Sequence, residues 1–313
     1  YLDICGEPEF IERMEHEFGA SAKAAGCLVA SACGFDSMPA DLGVIYAQRQ
    51  FQPPAVPSSV ECYMTISPGP EGYSIHYATW YSAVLGFASV ANLRALRAKV
   101  KAAGEGPPAA KPAGPRPTSV AGLAFCNTPA VNAWHLPFPG ADASVVRRTQ
   151  AALAQAGELP VHFSARFTMP TWFYASVAAA VGGVMTLMAS TEFGRGLLLS
   201  KPGLFSYGLV NHEGPTETQI ANTTSCVTLV ARGYAQGPPS TPDQAPDKEV
   251  VVKLTAADPG YQATSVFVAS AALTVLEEQD RLPGPGVWTG GALLRNTTYL
   301  ERLQKRGVKL EVL

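Results

Sequence analysis

Charged side chains are scarce in this chain: Asp, Glu, Lys and Arg together make 15% of 313 residues, against about 25% in an average soluble domain. Either the molecule buries much of itself or part of its surface meets something less polar than water. There is no basic excess, the formal net charge being −2, so a phosphate-neutralising nucleic-acid face is excluded. No like-charge tail interrupts an apolar content of 47%, which excludes a disordered chain. The cysteines, Cys5, Cys27, Cys33, Cys62, Cys126 and Cys226, form no CxxC pair and no Cys/His cluster at ligand spacing. That disfavours a metal site and fits small buried thiols in a reducing compartment. Also absent are GxGxxG, GxxxxGK[ST] and GxSxG, so neither a dinucleotide fingerprint, a phosphate loop nor a serine-nucleophile elbow can be read. No charged-then-apolar leader and no initiating Met precede Tyr1, and the chain is expected to be cut into from upstream.

What is present begins as alternating strand and helix patterns. Tyr1–Cys5 reads as a strand, Glu7-Pro8 opens a helix running to about Ala25, and the apolar run Cys27–Ser31 reads as a buried parallel strand. A Gly-Phe-Asp-Ser-Met-Pro turn then leads into a helix from Ala40 to Gln50. This rhythm belongs to a doubly wound sheet, although it supplies two strands where a nucleotide-binding half needs three. Beyond the Pro-rich joint Gln52–Pro57 the texture changes. Strands are expected at Val60–Ile66, Val120–Phe125, Val161–Thr168, Thr223–Tyr234 and Val250–Thr255, and helices at Ser74–Lys101, Ala143–Ala156 and Ala263–Leu282. Residues 104–118 form a Pro/Gly linker and 237–248 an exposed loop. A short helix within Gly291–Gly307 and a strand at Val308–Leu313 close the chain. The expected fold class is α/β plus α+β: a partial nucleotide-type unit at 1–52, a mixed-sheet α+β domain at 53–285, and a segment 286–313 that can return to the first unit.

Between Arg166 and Glu192 there is no charged side chain, and 174–190 is apolar on every face. A helix needs about 20 residues to cross a bilayer core, so the segment is barely long enough. A buried core helix and a lipid-seated helix both fit this composition. Phe193, Leu197–Leu199, Leu204 and Phe205 extend the apolar region to residue 205, and Arg195 and Lys201 stand where snorkelling would suit them. That tilts the reading of 169–205 towards lipid contact.

Three motifs can carry chemistry. The first, Gly34-Phe35-Asp36-Ser37-Met38-Pro39, follows a buried strand, where open α/β sheets bind ligands. There Gly34 would allow a cofactor close to the backbone and Asp36 or Ser37 could cap a helix with Pro39 in its first turn, though capping alone explains these residues equally well. The second, Gly6-Glu7-Pro8, should lie on the same rim, with Glu7 either binding a ligand hydroxyl or charging a helix start. In the third, a Gly/Pro turn at 67–73 opens a helix whose first residues, Ser74, His76, Thr79 and Trp80, could face a cleft. His76 is the best general acid or base among five histidines, although a lone His is commonly structural. Arg147-Arg148 could bind an anion, but adjacent helical residues point two ways.

These stretches also carry a resemblance. DICGEPEF (3–10), GFDSMPADLGVIY (34–46), SPGPEGYSIHYATW (67–80), ADASVVRRTQ (141–150), GPTETQI (214–220), GYQAT (260–264) and GVWTGGA (286–292) resemble, in order and end to end, the saccharopine dehydrogenase-like oxidoreductases of animals. The resemblance implies an NAD(P)-dependent oxidoreductase with a Rossmann domain, whose Gly-rich loop would lie upstream of Tyr1, so that cofactor binding by this fragment would be impaired. It further implies kinship with saccharopine reductases and with bacterial trans-acting enoyl reductases of glycolipid assembly. Association with lipid droplets, membranes or mitochondria on their cytoplasmic side follows from it. On this reading Gly34, Phe35, Asp36, Ser37 and Pro39 form the cofactor rim, Ser74, Thr79 and Trp80 the substrate side, and His76 is the proton donor. A polycarboxylate such as saccharopine would need a dense set of Arg and polar groups, and the second domain is apolar instead. A lipid-type substrate is therefore expected, with no nucleic-acid partner and with a homo-oligomer left open. Two alternatives stand beside it, a non-catalytic lipid-droplet or membrane interaction protein that keeps the fold, and an amino-acid dehydrogenase.

Overall fold

The structure, a computed structural model, describes residues 1–104, 111–117, 122–241 and 243–313. The expected strand start at Val120 and residues 105–110 and 118 of the linker lie outside them. The chain opens with an extended segment, Tyr1–Asp3, running parallel to β1 (Leu28–Ser31), with Asp3 N–H donating to Ala30 O at 3.1 Å and Ala30 N–H to Tyr1 O at 2.9 Å. This pairing is a single bridge at Leu2 rather than the full strand expected over residues 1–5. Between the two runs α1 (Pro8–Ala24), with Pro8 in its first turn, Glu9 near its N-terminus and Lys23 near its C-terminus, as the helix dipole favours.

From α2 (Met38–Gln48), every residue between Met38 and Ile45 is buried, because the helix is packed on two sides. Next come the long strand β2 (Val56–Ser67), the short β3 (Ile75–His76), α3 (Tyr77–Ala88) and α4 (Val90–Ala103). The single helix expected over 74–101 is thus divided at Ser89, whose hydroxyl donates to the Gly86 carbonyl at 2.9 Å. The two halves answer to different neighbours: α3 packs on an apolar helical unit, whereas Arg97 of α4 forks onto Glu12 of α1 at 2.8 and 2.5 Å.

The remaining elements are β4 (Ala124–Asn127), β5 (Asn132–Pro137), α5 (Asp142–Gln155), β6 (His162–Met169), α6 (Trp172–Ala189), α7 (Glu192–Ser200), α8 (Pro202–Phe205), β7 (Val210–Asn211), α9 (Glu217–Asn222), β8 (Thr224–Tyr234), β9 (Lys248–Ala256), α10 (Thr264–Glu277), β10 (Gly286–Thr289), α11 (Gly290–Leu294), α12 (Tyr299–Gln304) and β11 (Lys309–Val312). The large sheet has the order β11-β9-β8-β2-β6-β5-β4. It is antiparallel except where β2 runs parallel to β6, Ser59 opposite His162. Strands β5 and β10 were not anticipated. β10 pairs in parallel with β1, Leu28 opposite Gly286, so residues near opposite ends of the chain build one small parallel patch with Tyr1–Asp3. α2 is packed between the large sheet, at β8 and β9, and helices α5 and α11, and the largest apolar cluster includes Ala30, Met38, Val44, Leu229, Val252 and Phe267. The architecture is α/β joined to a mixed-sheet α+β layer.

Candidate functional site

The expected cofactor rim lies at the carboxyl ends of the parallel patch. Gly34 leaves no vacant space, since a Cβ there would stand 2.9 Å from the Thr264 methyl carbon. The Phe35 N–H donates to Thr264 Oγ1 at 3.1 Å, and that hydroxyl in turn donates to Pro259 O at 2.8 Å. The loop is therefore latched to the turn that opens α10. Ser37 is fully buried and its hydroxyl donates to Asp142 Oδ1 at 3.3 Å. It makes no side-chain cap to α2, and Pro39 is buried within that helix. Of the rim residues Asp36 alone reaches solvent. Its carboxyl lies over Gly6, and desolvation together with the nearby Glu7 carboxylate pushes it up to about 6. Asp142, buried behind Ser37, is likewise raised, first by burial and then by Asp36.

Glu7 does not cap α1. One of its oxygens accepts from Cys5 Sγ at 2.7 Å and the other from the Ser82 hydroxyl of α3. This contact carries the rim to the third motif. His76 is the N-cap of α3, six residues or roughly 9 Å of helix rise before Ser82. Its Nδ1 accepts the Ala78 N–H at 3.1 Å, so in the neutral ring the proton resides on Nε2. Gly214, at φ +76°, brings its backbone against the His76 ring, and a Cβ there would be 3.4 Å from both that ring and the Tyr261 hydroxyl. Tyr261 is raised in pKa, first by burial and then by Asp258. Tyr73, in the motif before His76, is raised by burial and by the same Asp258.

Two members of the expected substrate side are structural. The Ser74 hydroxyl donates to Gln219 Oε1 at 2.9 Å, part of the reciprocal Thr216–Gln219 cap that starts α9. Trp80 is buried and its Nε1 donates to Leu198 O at 3.0 Å. Thr79 is exposed on α3. The residues that sequence reasoning left without a role, Ser82, Gly214, Tyr261 and Thr264, mostly sit inside the matching stretches 214–220 and 260–264.

The wall beside His76 is apolar. α3 packs on α6 and α7, with Trp80 and Val84 against Met185, Ala189 and Leu198. Of α6 only 17% is buried, through Ala175, Met185 and Ala189. Trp172, Phe173, Tyr174 and Leu187 stand exposed, as do Phe193, Leu204 and Tyr207 on and after α7. Of the two positions left open for 169–205, core or lipid-facing, most of its surface is exposed rather than core. Arg195 does not reach outward, because its guanidinium turns back onto Ala189 O at 3.0 Å.

No family model matches the chain. A human saccharopine dehydrogenase-like oxidoreductase is 34% identical over 325 residues, covering all of this chain and 71% of that protein. The chain belongs to the saccharopine dehydrogenase-like oxidoreductase family. A relative in Arabidopsis thaliana named "Probable mitochondrial saccharopine dehydrogenase-like oxidoreductase" is 31% identical over 340 residues, covering 100% of this chain and 72% of that one. The lipid droplet localized protein of Caenorhabditis elegans is 31% identical over 320 residues, again with 100% of this chain and 73% of the other. The rim at Asp36 and the His76 cluster are two places where the present chain gathers titratable groups beside exposed surface.

Proposed function

We propose that the protein is an NAD(P)-dependent reductase of a lipid-type carbonyl or α,β-unsaturated substrate, of the kind needed in glycolipid assembly, working at a lipid surface such as that of a droplet or mitochondrion. The observation that carries this reading is the packing of the His76 helix on α6 and α7, whose outer face is apolar and exposed. Exposed apolar area of this extent marks an interaction surface. The groups gathered at His76 are aromatic and acidic, Tyr73, Tyr261 and Asp258, which suits an apolar substrate better than a polycarboxylate. In this reading 1–52 and 286–313 make the cofactor side and 53–285 the substrate side.

The rim fits one end of the expected cofactor. Carboxylates such as Asp36 accept from ribose hydroxyls or a carboxamide, whereas Glu7 and Asp36 disfavour a pyrophosphate, and no Gly-rich cradle for one appears among the described residues. A bound nicotinamide supplies the hydride. The protein's share is to aim the substrate and stabilise developing charge: the neutral ring's Nε2–H would hydrogen-bond the atom that gains negative charge, and water would supply the proton that completes the addition. The ring is held for this by its Nδ1 bond to Ala78.

His76→Ala and His76→Asn separate the chemical role from the cap. Asn keeps an N-cap acceptor but cannot aim an N–H where His76 Nε2–H points, so both variants are expected to lose roughly 100-fold or more in kcat, while only His76→Ala loses about 1 kcal/mol of stability. The assay is NADPH oxidation with enal- or enone-bearing lipids in vesicles. Wild-type turnover by His76→Asn overturns the donor role. Absence of any NADPH fluorescence change on binding leaves the second reading, a non-catalytic lipid-surface protein.

A further inference from the structure

The pair Arg147-Arg148 lies outside the site described above, and the structure divides it. Arg148 turns towards α1 and pairs with Glu15 at 2.6 Å. Arg147 opens onto a groove of about 1300 Å³ bounded by α1, α4, α5, the start of β6 and the segment 111–117. Its walls hold two carboxylates, and both are engaged: Glu15 by Arg148, Glu12 by the Arg97 fork and the Ser144 hydroxyl. Burial pushes against Glu12, yet Arg97 and Ser144 hold it below the usual carboxylate range, so it is fully committed as an anion. That leaves Lys101 of α4, Arg116 and Arg147 of α5 around one groove with no acidic partner among the described residues.

Three positive charges in excess are gathered here in a chain whose formal net charge is −2. They come from three separate segments, and His162 Nε2 within 3.4 Å of Gly114 O helps hold the Arg116 segment against β6. The crowding is electrostatically unfavourable as it stands: the Arg147 guanidinium is lowered in pKa by burial and then by Arg97, with Arg116 adding to the effect against Glu12. Like charges held together without a counter-ion are arranged for an anion. The guanidinium fork matches phosphate oxygens in particular, and the floor between the charges, Leu96, Val100 and Ala151, is apolar.

We infer that this groove is a binding site for a phosphate-bearing ligand, held by Arg147 and Arg116 with Lys101 at its edge. The phosphate belongs either to a lipid headgroup or to a soluble compound. The site is independent of the reductase reading, since it lies at His162, where β6 begins, whereas the apolar helix α6 follows the other end of that strand.

The test uses the full chain with two probes. Calorimetry with inorganic pyrophosphate reads the soluble source, and flotation with phosphatidylcholine vesicles, with and without phosphatidic acid, reads the headgroup source. Arg147→Ala and Arg116→Ala replace exposed residues, circular dichroism checks their folds, and Lys309→Ala, an exposed cation elsewhere, is the control. Pyrophosphate binding weakened roughly tenfold by each arginine substitution and untouched by Lys309→Ala supports the site with a soluble ligand. A phosphatidic acid increment lost with the same substitutions, without pyrophosphate binding, supports it with a headgroup. Neither probe bound, or binding indifferent to Arg147 and Arg116, overturns it.

Discussion

Leu187→Asp combined with Phe193→Asp detaches the protein from lipid vesicles and leaves its fold intact. Both side chains are mostly free of protein contact, at 73% and 83% exposed, so their loss removes little from the core. Seated in an acyl layer, each would contribute about 2 kcal/mol of apolar transfer, and together about 4 kcal/mol, a roughly thousandfold change in partitioning. On the proposed lipid-surface reading α6 would lie along the surface rather than project from it, since Met185 and Ala189 near its end still pack with Trp80 and Val84 of α3. β6 delivers the chain to α6 at Trp172, and β7, paired with β3 beside α3, receives it again at Val210. Trp172, Phe173 and Tyr174 at the helix start are residues that settle at the headgroup level. Flotation with neutral phosphatidylcholine vesicles reads the effect. A double variant that floats like the wild type would sink the lipid-surface reading and assign the apolar face to a protein partner.

Folding stability is expected to fall as pH rises from 5 to 8, and Asp41→Asn to remove much of that fall. Asp41 is completely buried on α2, and its Oδ2 accepts the Gly291 N–H at 2.7 Å. Burial pushes its carboxyl up to about 6, against the opposing pull of hydrogen bonds from Thr149 and Gly291. The unfolded value is about 3.9. The folded state therefore holds the proton more tightly. The resulting stability is fully present below pH ~4 and is lost as pH rises through ~6, a difference of roughly 3 kcal/mol. Asp142, raised by burial and by Asp36, acts in the same direction. Glu12, held low by Arg97 and Ser144, acts oppositely but only at more acid pH. Asn at 41 keeps an acceptor for Gly291 and stays neutral, so its urea midpoint should lie nearest the wild type below pH ~4 and exceed it increasingly as pH rises towards 8. A wild-type midpoint that is flat or rising across that interval would contradict the assignment.

Several features of this fold are written locally. The helix after Glu7-Pro8, the buried strand ending at Ser31 and the uncharged stretch before Glu192 follow from side-chain periodicity and from where Pro, Gly and charge fall, and the structure has α1, β1 and α6 at those places. The matching stretches carried the family, and Phe35, Gly214 and Thr264 within them make close tertiary contacts. The split at Ser89 was not legible. Tyr77 to Lys101 keeps helical spacing throughout, and the change of direction reflects two different packing partners, α6 and α7 for one half and α1 for the other.

The site shows the same division. His76 stood out by its place at a helix start, but Ser74 and Trp80, equally placed, turn out to bind Gln219 and Leu198. Nothing near them in sequence announces those partners, which lie more than a hundred residues away. Residue types and their local order by themselves determined the class of fold, the family and the apolar character of 169–205. Tertiary structure alone decided that β10 completes the parallel patch, that Thr264 latches Phe35, that Arg147 and Arg148 part company, and that α6 faces outward. The reason is physical: periodicity reports which faces of an element are apolar, whereas what each face meets depends on contacts between distant segments, and a core helix and a lipid-facing helix can share one composition.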